Sequence, residues 1–245
     1  MILERSMDPS WLSNGYVIGD HAGGHGVLID AGGPPEPLLA AIERHRLTIT
    51  HVLLTHHHVD HVAHLEALRE RFGAPALTHA LEAEHLDAVE GRLGDGDVVE
   101  SGDLRIRCLH TPGHTAGMLA FLVDGRECFT GDTLFAGSVG GVHAPGSTSF
   151  EDLRRSVMDV LLGLDPGVVL NPGHVGHTTV AVEWETNAFV RCWRGLDPEG
   201  TEPCTALGEP ATLVVWGDDY DGGHKAWVRW PDGRDDLVPG SRVDR

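Results

Sequence analysis

Positive charge is in short supply in this sequence. Lys and Arg total 18 against 37 Asp and Glu, a formal charge of −19, so the long-range field repels polyanions and argues against a nucleic-acid surface or a docking face for anionic membranes. Cysteine is scarce as well. The four present, Cys108, Cys128, Cys192 and Cys204, are far apart and form no CxxC pair, which excludes a disulfide framework and a zinc knuckle and predicts reduced, unligated thiols. No stretch approaches 18 unbroken apolar residues, and the opening MILERSMDPSW has no basic segment leading into an apolar one. Neither a spanning helix nor an export signal is expected, and the protein is placed in the cytoplasm. No repeat of solenoid period is visible.

What is present suits a globular chain: 245 residues, 41% hydrophobic and 22% charged, enough for one large domain with a small appendage. NGYVIGD and GVLIDAGG, separated by a Gly-rich spacer, read as an antiparallel strand pair. Pro34, Pro35 and Glu36 open a helix with Leu38, Leu39 and Ile42 on one face, and HVLLTH returns as a buried strand. Val62, Leu65, Leu68 and Phe72 keep helical spacing, and Gly73 stands where a C-terminal cap belongs. Four strands follow near residues 97–100, 103–109, 118–123 and 126–130. Ser149 and Asp152 then resemble a capping box before an amphipathic helix. A strand GVVLN and a helix over 178–194 complete a second half like the first. Strands and helices alternating in two halves predict a mixed α/β fold with two sheets face to face and helices outside, an αββα sandwich over residues 1–195. Residues 196–210 read as a linker, and 211–245 as a small β appendage whose Trp216, Trp227 and Trp230 supply its core.

Chemistry concentrates in THHHVDH at residues 55–61. Side chains two apart in an extended loop point the same way, so His56 and His58 can converge on one cation while Asp60 and His61 point toward a second position. Neutral imidazole and carboxylate are ligands that zinc, iron and manganese accept, and ligation would satisfy groups otherwise costly to desolvate. One loop cannot complete two coordination spheres. Further donors stand at other strand ends beside Gly or Pro: His114 in HTPGHTAG, Asp132 in FTGDTLF and His174 in NPGHVGHT. His57 points away from its neighbours and is read as packing or solvent-facing, as are His110 and His177. His143, in the loop after GDTLF, either faces the site and touches substrate or is an exposed loop histidine.

Through THHHVDH, TPGHT, GDTLF and PGH, in that order and spacing, the chain resembles the metallo-β-lactamase superfamily and within it the glyoxalase II-like hydrolases, over residues 10–195. That resemblance implies a dinuclear centre at one sheet edge. His56, His58 and His114 would hold the first metal, Asp60, His61 and His174 the second, and Asp132 would bridge both. Asp30 in LIDAGG matches the family's strand-end aspartate that braces the ligand loop. The expected cofactors are two divalent cations, zinc first, with iron or manganese also compatible with the donors.

The activity so implied is hydrolysis of a thioester, ester or lactone by a metal-bridging hydroxide, with Asp60 and Asp132 in the catalytic machinery and a small molecule as partner. Two departures bear on the substrate. The loop after GDTLF, which in glyoxalase II carries a lysine and a tyrosine that anchor glutathione, reads AGSVGGVH here, and the C-terminal tail is β-like where that family has a helical region. The alternative is a persulfide dioxygenase with one ferrous ion on a His-His-Asp set, and a third reading is a non-catalytic metal-containing binding module. No motif speaks to oligomeric state.

Overall fold

The computed structural model describes all 245 residues. Two six-stranded sheets form the centre. The first runs Ile2–Met7, Asn14–Gly19, His25–Ile29, Thr48–Leu53, Ala76–His79 and Gly91–Leu93 in spatial as well as chain order. The second runs Thr178–Thr179, Val169–Pro172, Glu127–Gly131, Leu119–Val123, Leu104–His110 and Val98–Ser101.

Period-two alternation sorts each strand's side chains between two cores. Tyr16, Ile18, Val27, Ile29 and Leu53 of the first sheet meet Ile106, Cys108, Phe121, Val123 and Phe129 of the second in a dry layer between the sheets. Val17, Leu28 and Val52 point the other way, onto Leu38, Ala41 and Ile42 of the helix Pro35–His45 and Leu65 and Leu68 of the helix Leu65–Phe72. Ala120, Leu122, Cys128 and Leu170 cover the far face of the second sheet against Leu153, Val157, Phe189 and Val190. The result is the four-layer αββα sandwich.

Local chemistry sets the helix ends. Gly73 is left-handed at φ 60° and closes Leu65–Phe72. The Ser149 hydroxyl accepts from the Asp152 amide at 3.1 Å and donates to its carboxylate at 2.9 Å, starting a helix that widens after Arg155 into the π turn Ser156–Leu161. The helix expected over 178–194 is two, Val180–Thr186 and Ala188–Trp193. Asn187 divides them by leaving helical geometry and accepting the Phe189 and Val190 amides on its own side chain, as a cap does.

The C-terminal residues depart further from expectation. The stretch 196–210 contains the strand Glu202–Ala206 and the start of Glu209–Asp218, paired antiparallel around the Leu207-Gly208 turn. Pro203 falls on the part of its strand that pairs on one side only, and Gly208 marks a turn, which composition does not distinguish from a linker. With His224–Arg229, Asp235–Pro239 and Val243–Asp244 these strands make a five-stranded sheet. The tryptophans do not share one core. Trp216 and Trp230 flank a cluster of Cys204, Ala206, Ala211, Ala226, Val228 and Val238 inside the sheet. Trp227, on the opposite face, packs 5.3 Å from Phe150 and 6.4 Å from Trp193 and joins the core of the sandwich with Val214 and Leu237. No helix is long and apolar enough to cross a membrane.

Candidate metal centre

Every strand that feeds the centre ends at the same edge. His56 and His58 follow Thr48–Leu53, His114 lies between Leu104–His110 and Leu119–Val123, and Asp132 and His174 follow the parallel neighbours Glu127–Gly131 and Val169–Pro172. Asp60 and His61 sit in the one-turn helix Val59–Val62, not in extended loop; the turn's rotation is what swings them to a second position.

All seven predicted side chains converge. Ligand atoms of His56, His58 and His114 lie within 4.8 Å of one another, and so do those of Asp60, His61 and His174. Asp132 stands between the triads, with its carboxylate oxygens 3.3 Å from His61 Nε2, 3.2 Å from His174 Nε2 and 3.5 Å from His114 Nε2.

Each imidazole is tied on its outer nitrogen. His114 Nδ1 donates to the Gly141 carbonyl at 2.9 Å, His174 Nδ1 to that of Trp11 at 3.0 Å, and His58 Nε2 to that of Pro145 at 2.8 Å. His61 Nδ1 donates to Asp30 at 3.0 Å, and His56 Nδ1 to the Thr55 hydroxyl at 3.0 Å, which itself donates to Asp30. A carbonyl only accepts, so in the neutral form that binds a metal the inner nitrogens of His58, His114 and His174 carry the lone pairs. His58 Nδ1 and His114 Nε2 thus face each other at 3.0 Å as two acceptors. His56 Nε2, His61 Nε2 and Asp132 Oδ1 are buried with no partner in the protein. Facing lone pairs and buried nitrogen and oxygen atoms left without a hydrogen bond are donors of the kind that fit divalent cations.

The electrostatics agree. Burial pushes the His56 imidazole well down and that of His114 to about 4, keeping both in the neutral ligand form. Burial opposes charge on Asp132 too, yet the His174 and His61 imidazoles outweigh it and hold the carboxyl well below its usual range. For His61 the same contest goes to Asp132 and Asp30, which raise it well above an ordinary histidine. Positive charge is favoured beside Asp132 and Asp30 and disfavoured on the rings of His56 and His114.

Close approach is built into the backbone. A Cβ on Gly173 of the PGH motif would lie 2.1 Å from Asp132 Oδ1 and 2.7 Å from the His61 ring, and one on Gly113 of TPGH, where φ is +146°, would lie 2.5 Å from the Leu153 Cα. These glycines do more than form turns.

The family model described as the metallo-beta-lactamase superfamily matches residues 9–174. The chain belongs to that superfamily. An uncharacterized protein of Mycobacterium tuberculosis is 34% identical over 208 residues, covering 72% of this chain and 92% of that one. A hydroxyacylglutathione hydrolase of Rhodopseudomonas palustris is 39% identical over 153 residues, which is 61% of this chain but only 56% of that protein. The solved structure of TTHA1623 in a di-iron-bound form superposes with a TM-score of 0.62 at 33% identity, over 72% of this chain and 94% of that one.

Two parts of this superfamily member carry roles that sequence reasoning missed. The first is Glu82, 1% exposed. It accepts the His57 amide at 3.0 Å, the His57 ring, and the Gly117 amide at 2.8 Å. His57, read as a bystander, therefore anchors the ligand loop to a buried carboxylate, and the same carboxylate holds the loop bearing His114. The His57 ring stacks on His85 at 4.3 Å. His110 keeps its structural reading, donating to the Ala116 carbonyl and stacked on His79, and His177 is exposed.

The second is the C-terminal sheet, which borders the metallo-β-lactamase centre directly. Tyr220 lies flat on His174, with ring centroids 4.2 Å apart, and against Phe135 at 4.7 Å. A cavity of about 260 Å³ separates His114 and Asp132 from Asp219, Tyr220, Asp221 and Lys225. His143 lines its rim and pairs with Asp236 at 2.9 Å. A lysine and a tyrosine do reach the site, but from a strand and a turn beyond the family match, where no motif announces them.

Proposed function

We propose that the protein is a dinuclear metal-dependent hydrolase acting on a thioester, ester or lactone carbonyl, with His56, His58 and His114 holding one cation, Asp60, His61 and His174 the other, and Asp132 bridging them. The observation that carries the reading is the position of Asp132, within 3.5 Å of histidines from both triads. Bound there, two divalent cations would supply hydroxide near neutral pH and polarise the carbonyl. The chain's own residues do the rest. His58, His114 and His174 are held by backbone carbonyls on their outer nitrogens, and His61 by Asp30, so the rings need little reorganisation when charge develops. Asp60, the more exposed of the two site carboxylates, has Oδ2 3.4 Å from His174 Nε2 and 3.6 Å from His61 Nε2, where it can accept a hydrogen bond from water and orient it. The adjoining cavity opens the centre on one side, unlike a closed structural site. The likeness to a hydroxyacylglutathione hydrolase supports the reaction class, and the di-iron relative supports two ions.

A second reading has its own observation: His56, His61 and Asp132 form a His-His-Asp group of the kind that holds one ferrous ion for oxygen chemistry on a persulfide. Elemental analysis of protein purified without added metal, followed by anaerobic thioester assays, separates the two. The hydrolase should retain about two ions per chain and turn over without oxygen. One iron with oxygen consumption would establish the second reading, and a folded protein that retains no transition ion would remove both.

A further inference from the structure

The cavity beside the triads has two unlike walls. One is the ligand set. The other is the tip joining the strands Glu209–Asp218 and His224–Arg229, and its charges are unevenly committed. Lys225, the sole Lys or Arg on the lining, is 5% exposed because it shares the inward face of its strand with Trp227. Its ammonium donates to the Val139 carbonyl and to Asp219 at 3.2 Å. Asp219 also accepts the Ser138 hydroxyl and the Tyr220 amide, both at 2.9 Å. Lys225 and Asp219 therefore cancel each other and brace the tip against the strand Ser138–Val139. His143 is turned to Asp236. Asp221 remains, exposed at the mouth, with only the Gly223 amide on its carboxylate at 2.8 Å. Between these charges and the metals stands Tyr220, a flat apolar face with a neutral hydroxyl.

We infer that this tip is the carrier-selecting wall of the active site: Tyr220 contacts the leaving group, and Asp221, with no free cation beside it, favours acyl carriers that are uncharged or positively charged over anionic ones. The inference rests on the hydrolase reading for the word carrier, and on the wall's own chemistry for its preference. An anionic thiol such as glutathione needs a free basic group to meet its carboxylates, and the one lysine here is spent.

The test uses the full-length metal-loaded protein and one acyl group on three thiols: glutathione, N-acetylcysteamine and thiocholine, which are anionic, uncharged and cationic. The expected kcat/KM is at least about tenfold lower for the glutathione thioester than for the uncharged one, with the gap narrowing at high salt because Asp221 is exposed. Asp221→Lys should shift the ratio toward glutathione by about 3- to 10-fold, with Asp221→Asn between. Titration calorimetry with the non-hydrolysable S-alkyl thioethers of the same thiols gives the order without turnover. The inference is overturned if the glutathione derivatives react or bind as well as the others, if none of the thioethers binds, or if Asp221→Lys leaves the ratio unchanged. Thioethers that bind in the expected order to a protein that cleaves no thioester would leave the wall standing and remove the thioesterase branch of the hydrolase reading instead.

Discussion

The two walls of the cavity are made by opposite means. On the ligand side the outer polar atoms are held: Asp30 takes the Thr55 amide, the Thr55 hydroxyl and His61, Glu82 takes His57 and Gly117, and Gly173 leaves no room for a methyl group. On the C-terminal side a tip with two glycines carries Tyr220 and Asp221 into the opening with few ties of its own, on a sheet anchored elsewhere by Trp227, Val214 and Leu237. On the proposed function, the difference assigns reaction and selection to separate parts. The reacting edge is over-determined, as a preorganised site must be, and the wall that meets the variable part of a substrate is not.

The comparison breaks most visibly at Asp132. Asp132→Ala should remove the shared carboxylate, lower turnover by roughly 10³-fold or more and reduce bound metal, measured by steady-state kinetics and elemental analysis; near-normal turnover by the metal-loaded variant would falsify the ligand assignment. Next is the claim that the C-terminal sheet belongs to the same folding unit. Trp227→Ala should cost about 3–5 kcal/mol in denaturant unfolding, and a loss below about 1 kcal/mol would mean the sheet is only loosely docked. Glu82→Gln keeps shape and loses charge. It should weaken metal affinity about 10- to 100-fold by chelator competition while circular dichroism stays unchanged, the pattern expected of a group that orients ligands; unchanged affinity would return His57 to a packing role.

The smallest effect concerns Val175, directly after His174. It is a β-branched residue at φ +50°, kept there by hydrogen bonds to its carbonyl from Asn14 and Arg5. Val175→Gly should relieve the strain and raise stability by about 1 kcal/mol, a net value because glycine also loosens the unfolded chain. A lower melting temperature in the variant would show that the turn is not strained.

The ligand edge was legible in the sequence because metal chemistry demands particular side chains at strand ends, and turns beside them demand Gly or Pro. Thus THHHVDH, TPGH, GDT and PGH announced both the residues and the fold that brings them together. Glu82 was not legible, since HALEAEH has no pattern that separates a buried acid from a solvated one; its role appears only when a strand of one residue block, Ala76–His79, sets it under another loop. Neither that strand nor Ile2–Met7 was read, the first for its shortness and the second because its half-buried alternation is weak. Tyr220 and Lys225 were hidden for a different reason. Their places are fixed by where the C-terminal sheet docks, and docking of one sheet on a finished domain leaves no period in the sequence.

The Asp219–Lys225 pair lies at the base of the tip, and Tyr220, Asp221, Gly222 and Gly223 lie beyond it. A library randomised at Asp221 and Gly223 alone would leave the brace, the Tyr220 ring on His174 and the left-handed Gly222 untouched, so directed evolution of substrate range could start there with the least disturbance to the tip.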